Sequence, residues 1–157
     1  MSTKIIVLSD THGDKRFLKE AVHLLKGKDL LIHLGDNYDD FLWLVNQTNI
    51  KGYAVKGNCD PYSNANEVEV IQIEGIKIML THGHNYGVKS GLLNLLYCGL
   101  EKDADIVLFG HTHVNHKEVS QEVTLLNPGS PVLPRGGTSS YGIITVDGRD
   151  FSCEIKK

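Results

Sequence analysis

KIIVLSDTHGDKRFLKEAVHLLKGKDLLIHLGD, residues 4–36, is the stretch whose reading decides the fold. Its two apolar runs, residues 4–9 and 30–34, are short and rich in Ile, Val and Leu, the pattern of strands buried on both faces. Between them, residues 15–25 place Phe17, Leu18, Ala21, Val22, Leu24 and Leu25 on one side of an amphipathic helix, and Gly27 follows as a stop. Asp14 suits the first turn of that helix. A second helix carrying Phe41, Leu42, Leu44 and Val45 and a third strand at residues 52–55 extend the pattern to βαβαβ, which predicts a parallel start.

Further along, the pattern becomes β-rich. Residues 67–73 and 76–80 flank Glu74-Gly75 as an antiparallel hairpin, and a helix over 91–100 leads to a strand at 106–109. Short β segments follow at 116–119, 123–126, 141–146 and 151–155. That number requires a second sheet, so the expected architecture is α/β: a four-layer αββα sandwich of two mixed sheets flanked by helices. No repeat or linker interrupts residues 1–157, and one domain is expected across them.

Composition excludes several classes. With 41% hydrophobic and 22% charged residues the chain is neither disordered nor fibrous, and its apolar runs are too short for a membrane span. The start, MSTKIIVLSD, has no basic segment, apolar core and cleavage site in series. A net charge of -3 provides no global field for a polyanion, which disfavours nucleic acid as a partner. Cys59, Cys98 and Cys153 are odd in number and lack CxxC spacing, so a reducing compartment, the cytoplasm, is expected. Cys98 and Cys153 read as small buried thiols.

Function lies in how the apolar runs end. IIVLSD closes on Asp10, LIHLGD on Asp36, YAVKGN on Asn58, KIMLTH on His82 and IVLFGH on His111. Ligand sites of layered α/β proteins lie at strand C-terminal ends, so five such endings point to one site. In Asp10-Thr11-His12 and His111-Thr112-His113 the outer residues are two apart, and an extended segment aims both the same way. The candidate metal ligands are therefore Asp10, His12, Asp36, Asn58, His82, His111 and His113, too many for one tetrahedral ion and suited to a dinuclear centre with a bridging carboxylate. Four histidines with three oxygen donors favour Mn, Fe, Ni, Co or Zn over Mg or Ca, with Mn preferred.

Charge counting then indicates the substrate. Two divalent ions outweigh the carboxylates of Asp10 and Asp36 and a bridging hydroxide, which leaves a positive centre suited to a phosphate ester. An aspartate in place of Asn58 would cancel that residual charge. Ions about 3.5–4 Å apart suit in-line displacement at phosphorus by a bridging hydroxide.

These blocks resemble a known family. DxH (Asp10, His12), GD (Gly35, Asp36), GNxD (Gly57, Asn58, Asp60), the strand-end His82 and GHTH (residues 110–113) follow the order of the calcineurin-like metallophosphoesterases. The short length, GNCD in place of GNHE or GNHD, and the NPGSP loop at residues 127–131 look like the small single-domain YfcE-like phosphodiesterase branch. The resemblance implies a metal-dependent phosphoric diester hydrolase of αββα fold. It also implies that Asp10, His12, Asp36 and His113 hold one ion, that Asp36, Asn58, His82 and His111 hold the other, and that Asp36 bridges.

The catalytic candidates are Asn58, Cys59, His82 and His84. Many members carry a histidine at the position of Cys59, where it can protonate the leaving oxygen. A thiol serves less well there, its ordinary pKa being about 8.5. Slow chemistry on poor leaving groups and a preference for diesters with acidic leaving alcohols are expected. His84 is an alternative proton source, a residue backing the ligands or one facing solvent.

His33, inside an apolar strand, reads as a core histidine or one that backs the ligands, and His23 and His116 as structural or exposed. The NPGSPVLPRGG loop is either a shaped turn or a phosphate contact through backbone N–H groups or Arg135. Three other functions stay open: a non-catalytic scaffold like the retromer subunit of this fold, a metal-bound sensor with Cys59 as its reactive group, and a phosphomonoesterase or nuclease. A homodimer or homotetramer is expected from apolar residues left exposed on a small sandwich.

Overall fold

Alternation along the first strand shows why both of its faces are apolar. In the computed structural model, which describes residues 2–157, β1 (Thr3–Leu8) sends Ile5 and Val7 to one core and Ile6 and Leu8 to another, each fully buried. The elements continue as α1 (Lys15–Leu24), β2 (Leu30–His33), α2 (Tyr38–Thr48), β3 (Lys51–Ala54), β4 (Val68–Ile73), β5 (Ile76–Thr81), a 3-10 turn (His84–Tyr86), α3 (Leu93–Glu101), β6 (Ile106–Leu108), β7 (His116–Ser120), β8 (Val123–Asn127), β9 (Tyr141–Asp147) and β10 (Asp150–Lys156).

Two five-stranded mixed sheets result. The first has the order β10-β9-β1-β2-β3, with β1, β2 and β3 mutually parallel and β9 antiparallel to its neighbours. The second has the order β4-β5-β6-β8-β7, with β5, β6 and β8 parallel and the outer strands antiparallel. Three apolar cores define four layers. Ile5, Val7 and Ile32 of the first sheet meet Ile78, Leu80 and Leu108 of the second in the central core. Ile6, Leu8 and Leu31 pack under Phe17, Ala21, Phe41 and Leu44 of α1 and α2, while Met79, Val107 and Phe109 pack under Leu95 and Leu96 of α3. Each fully buried Ile, Leu or Phe contributes about 1.5–3 kcal/mol, so the central core, closed on both sides, is what fixes the sheets face to face.

Local details refine the reading of the sequence. Asp14 is the N-cap of α1 and not part of its first turn; its carboxylate accepts from Phe17 N at 2.9 Å. Gly91 lies outside α3, with φ 140°, so the helix begins at Leu93. Cys98 is half-buried, and Tyr86 Oη lies 3.5 Å from its sulfur, whereas Cys153 is buried as expected. No helix among the described residues is long and apolar enough to cross a membrane.

Candidate metal centre

Strand register brings the predicted endings to one edge. Leu8 pairs with His33 and His33 with Ala54 in the first sheet, and Leu80 pairs with Leu108 and Leu108 with Leu126 in the second. Asp10, Gly35, His82 and Gly110 each follow such a row by two residues. The loops there are strained. Of the ten non-glycine residues with positive φ among the described residues, five are Asp10 (57°), His12 (49°), Asp36 (50°), His111 (72°) and His113 (61°). Left-handed backbone at a non-glycine residue costs about 1–3 kcal/mol, and its concentration on the predicted ligands marks a site whose geometry the surroundings impose.

The side chains converge closely. His113 Nε2 is 3.2 Å and His82 Nε2 3.7 Å from Asp10 Oδ1, while His82 Nε2 is 3.3 Å from Asp36 Oδ2. His12 Nε2 lies 3.9 Å from Asp10 Oδ1, 4.0 Å from Asp36 Oδ2 and 3.4 Å from His113 Nε2. Donors about 2.0–2.2 Å from a shared ion lie roughly 3–3.5 Å from one another; the 3.2, 3.3 and 3.4 Å spacings fall in that range, and the 3.7, 3.9 and 4.0 Å spacings are longer. Asp10 Oδ1 and His82 Nε2 are buried and have no hydrogen-bond partner, the approach of His82 to Asp36 being misaligned for one. Buried polar atoms left in this state are costly, and a cation satisfies both. Asp10, His12 and His113 form one group whose ligand atoms lie within 4.8 Å of each other, as do Asp36, His82 and His111, and His12, Asp36 and Cys59.

Backbone carbonyls orient the rings. Leu34 O lies 2.8 Å from His82 Nδ1, and Leu133 O lies 2.7 Å from His113 Nδ1. A carbonyl only accepts, so each Nδ1 carries a proton and each neutral ring offers its Nε2 lone pair to the centre. The Leu34 contact also ties the first sheet to the second.

Three buried networks hold the loops. Asp60 accepts from Asp36 N (2.9 Å), Tyr38 N (2.9 Å) and Gly57 N (2.8 Å), binding the loops after β2 and β3 together. Asp40 accepts from Thr11 Oγ1 at 2.6 Å and Gly13 N at 2.8 Å, and Thr11 also meets His33 Nε2 at 2.9 Å. Ser130 donates its hydroxyl to Asp10 O at 2.9 Å and accepts from Leu133 N at 2.9 Å. The NPGSPVLPRGG loop therefore supports Asp10 and His113 directly, through Ser130 and Leu133. Asp60, Asp40, Thr11 and Ser130 had no role assigned from sequence; Asp60 was visible only as the last letter of GNxD.

Electrostatics follow from this packing. Burial would raise Asp36, but His82 and the Cys59 amide, which donates to Asp36 Oδ1 at 2.9 Å, hold it well below the ordinary carboxylate range. Burial likewise opposes, and His113, His82 and Ser9 together outweigh it, so Asp10 is also lowered. His82 is raised by Asp36 and Asp10 against its burial, and His113 is raised chiefly by Asp10. Each ring must therefore lose its Nε2 proton, keeping the Nδ1 proton that the carbonyl accepts, before it ligates, so metal uptake strengthens with pH. His33 is pushed down to about 4 by burial, which makes it a neutral core group. Burial and the nearby Asp36 raise the Cys59 thiol.

Of the predicted residues, Asp10, His12, Asp36, His82, His111 and His113 come together, with Cys59 beside them. Asn58 is at the exposed rim and follows Gly57, whose backbone packs against the Asp36 carboxylate. The His84 ring is 5.5 Å from that of His82 and 6.2 Å from that of His111, and its Nδ1 is buried without a partner. Arg135 is exposed, and its backbone N donates to His113 O at 3.0 Å. His116 is an exposed surface residue bonded to Glu118 at 2.8 Å.

Comparison with known proteins adds an independent result. The family model described as the calcineurin-like phosphoesterase superfamily domain matches residues 3–149. The chain belongs to the calcineurin-like phosphoesterase superfamily. A probable metallophosphoesterase, YsnB of Bacillus subtilis (strain 168), is 36% identical over 146 residues, covering 91% of this chain and 84% of that one. Phosphodiesterase YfcE of Escherichia coli (strain K12) is 28% identical over 172 residues, covering 92% and 88%. Among solved structures, a predicted phosphoesterase from Streptococcus pneumoniae TIGR4 superposes with a TM-score of 0.83 at 32% identity, covering 99% of this chain and 89% of that one. Vps29 from Entamoeba histolytica, complexed with Zn²⁺, gives 0.70 at 25% identity, covering 98% of each. This calcineurin-like phosphoesterase is accordingly an enzyme of the metallophosphoesterase class.

Proposed function

We propose that the chain hydrolyses a small phosphodiester at a dinuclear centre, with residues 1–157 acting as one domain. In this reading Asp10, His12, Asp36 and His113 hold one ion, Asp36, Asn58, His82 and His111 hold the other, and Asp36 bridges. The observation that carries it is the pair of buried, partnerless atoms, Asp10 Oδ1 and His82 Nε2, 3.7 Å apart among the other histidines. Bound there, two divalent ions would supply Lewis acidity and a water made nucleophilic at neutral pH. The protein's part is to keep the ligands fixed: Leu34 and Leu133 aim His82 and His113, Asp60 locks the loop of Asp36, and Ser130 anchors the backbone of Asp10.

The site suits an anion. Lys56 lies near His84, Lys89 near His111 and Arg135 near His113, so three cationic side chains border the site, with Glu67 also beside His84, on a chain of net charge -3. Manganese is the proposed ion, the cytoplasm the proposed location on three unpaired cysteines, and a homodimer or homotetramer the proposed assembly. Cys59 and His84 are the proposed contacts to the leaving group, with Cys59 making poor leaving groups slow.

A non-catalytic scaffold is the competing reading, because the sandwich is shared with Vps29. Metal-stripped protein, resupplied with Mn²⁺ and assayed on an aryl phosphodiester, an aryl monoester and single-stranded DNA, separates them. The expected result is activity restored by metal, with kcat/KM for the diester exceeding that for the monoester by roughly tenfold or more. Two bound ions without turnover on any of the three would favour the scaffold.

A further inference from the structure

Cys59 belongs to a third group of candidate ligands that overlaps the other two. Its sulfur, a His12 ring nitrogen and an Asp36 carboxylate oxygen lie within 4.8 Å of one another. His12 also belongs to the group of Asp10 and His113, and Asp36 to the group of His82 and His111, so the group of Cys59 shares one residue with each of the other two. The backbone fixes this placement: Cys59 N donates to Asp36 Oδ1 at 2.9 Å, and Asp60, the next residue, receives three amides from the surrounding loops. Independently, the fully buried Asp10 Oδ1 and His82 Nε2 lack partners at this same centre, which marks it as a place for cations.

We propose that Cys59 is itself a metal ligand, joining His12 and Asp36 around a thiophilic divalent ion such as Zn²⁺, Co²⁺ or Cd²⁺. The proposal rests on the metal-centre reading and extends it to the choice of metal. Cys59 is exposed, so core packing does not hold its side chain, and as a ligand its sulfur would stand roughly 3.5 Å from the other donors on the ion. On binding, the S–H bond breaks, its proton passes to solvent, and a sulfur–metal bond forms; no electron is transferred. A hard ion such as Mn²⁺ gains little from the sulfur, whereas softer ions gain much. Cys59 therefore sets which metals compete for the site.

The test compares the wild-type chain with Cys59→Ser by titrating metal-stripped protein with Co²⁺, Cd²⁺ and Mn²⁺. Wild type is expected to show both the visible ligand-field bands of bound cobalt and a thiolate-to-cobalt charge-transfer band in the near ultraviolet. Cys59→Ser should keep the ligand-field bands, lose the charge-transfer band, bind Cd²⁺ roughly 10-fold or more weakly, and bind Mn²⁺ within about twofold of wild type. Ligand-field bands without charge transfer in wild type, or a charge-transfer band that survives in Cys59→Ser, would overturn the role of Cys59 while leaving the metal centre intact. No bound cobalt in either protein would overturn both.

Discussion

Asp36→Asn is expected to lower metal-dependent phosphodiester hydrolysis by roughly 10²–10³-fold or more while leaving the metal-free protein folded. The substitution isolates charge from shape. Asp36 sits at φ 50°, a conformation that asparagine tolerates better than most residues, and an amide oxygen can still accept from Cys59 N. What disappears is the negative oxygen 3.3 Å from His82 and 4.0 Å from His12, the proposed bridge between two ions. Metal affinity should fall together with kcat. Wild-type activity in this variant at saturating metal would show that Asp36 does not bridge.

Gly35→Ala is expected to damage the fold at the same edge. Gly35 has φ +101°, which side chains resist, and an added β-carbon would strike the backbone of Gly57 and of Lys56. Backbone cannot swing aside as a flexible side chain can, so overpacking and strain add, to about 3–4 kcal/mol. For a domain of this size that corresponds to a fall in Tm of roughly 6–16 °C, with weakened metal binding because Asp60 ties Gly57 to Asp36. Thermal denaturation of the metal-free variant measures the first effect. A Tm within about 2 °C of wild type would mean that the loop yields, and the rigidity assigned to it here would be wrong.

Much of this was legible in the sequence because apolar runs that end in Asp, Asn or His combine two signals in one place. Burial on both faces identified β1, β2, β5 and β6; parallel pairing levels the ends of β1 with β2 and of β5 with β6, and the packing of the two sheets, which lets His82 reach Leu34 O, brings Asp10, Asp36, His82 and His111 together. The hairpin of β4 and β5 was readable from its Glu74-Gly75 turn. Local pattern fails where a contact depends on which loops meet. Asp60 looks like any turn aspartate until the loops after β2 and β3 bring it three amides. Ser130 reaches Asp10 across 120 residues, so no spacing rule connects them. Cys98 read as buried from its apolar neighbours, yet the helix leaves it half-buried beside Tyr86. The placement of the Cys59 sulfur near His12 likewise emerges only when loops after β1 and β3 are folded together.

The most direct measurement is anomalous diffraction at the manganese edge from crystals of the metal-stripped protein soaked in Mn²⁺. Two peaks about 3.5–4 Å apart are expected, one against Asp10, His12 and His113 and the other against His82 and His111, with the Asp36 carboxylate touching both. A single peak, or two that do not share Asp36, would contradict the dinuclear centre.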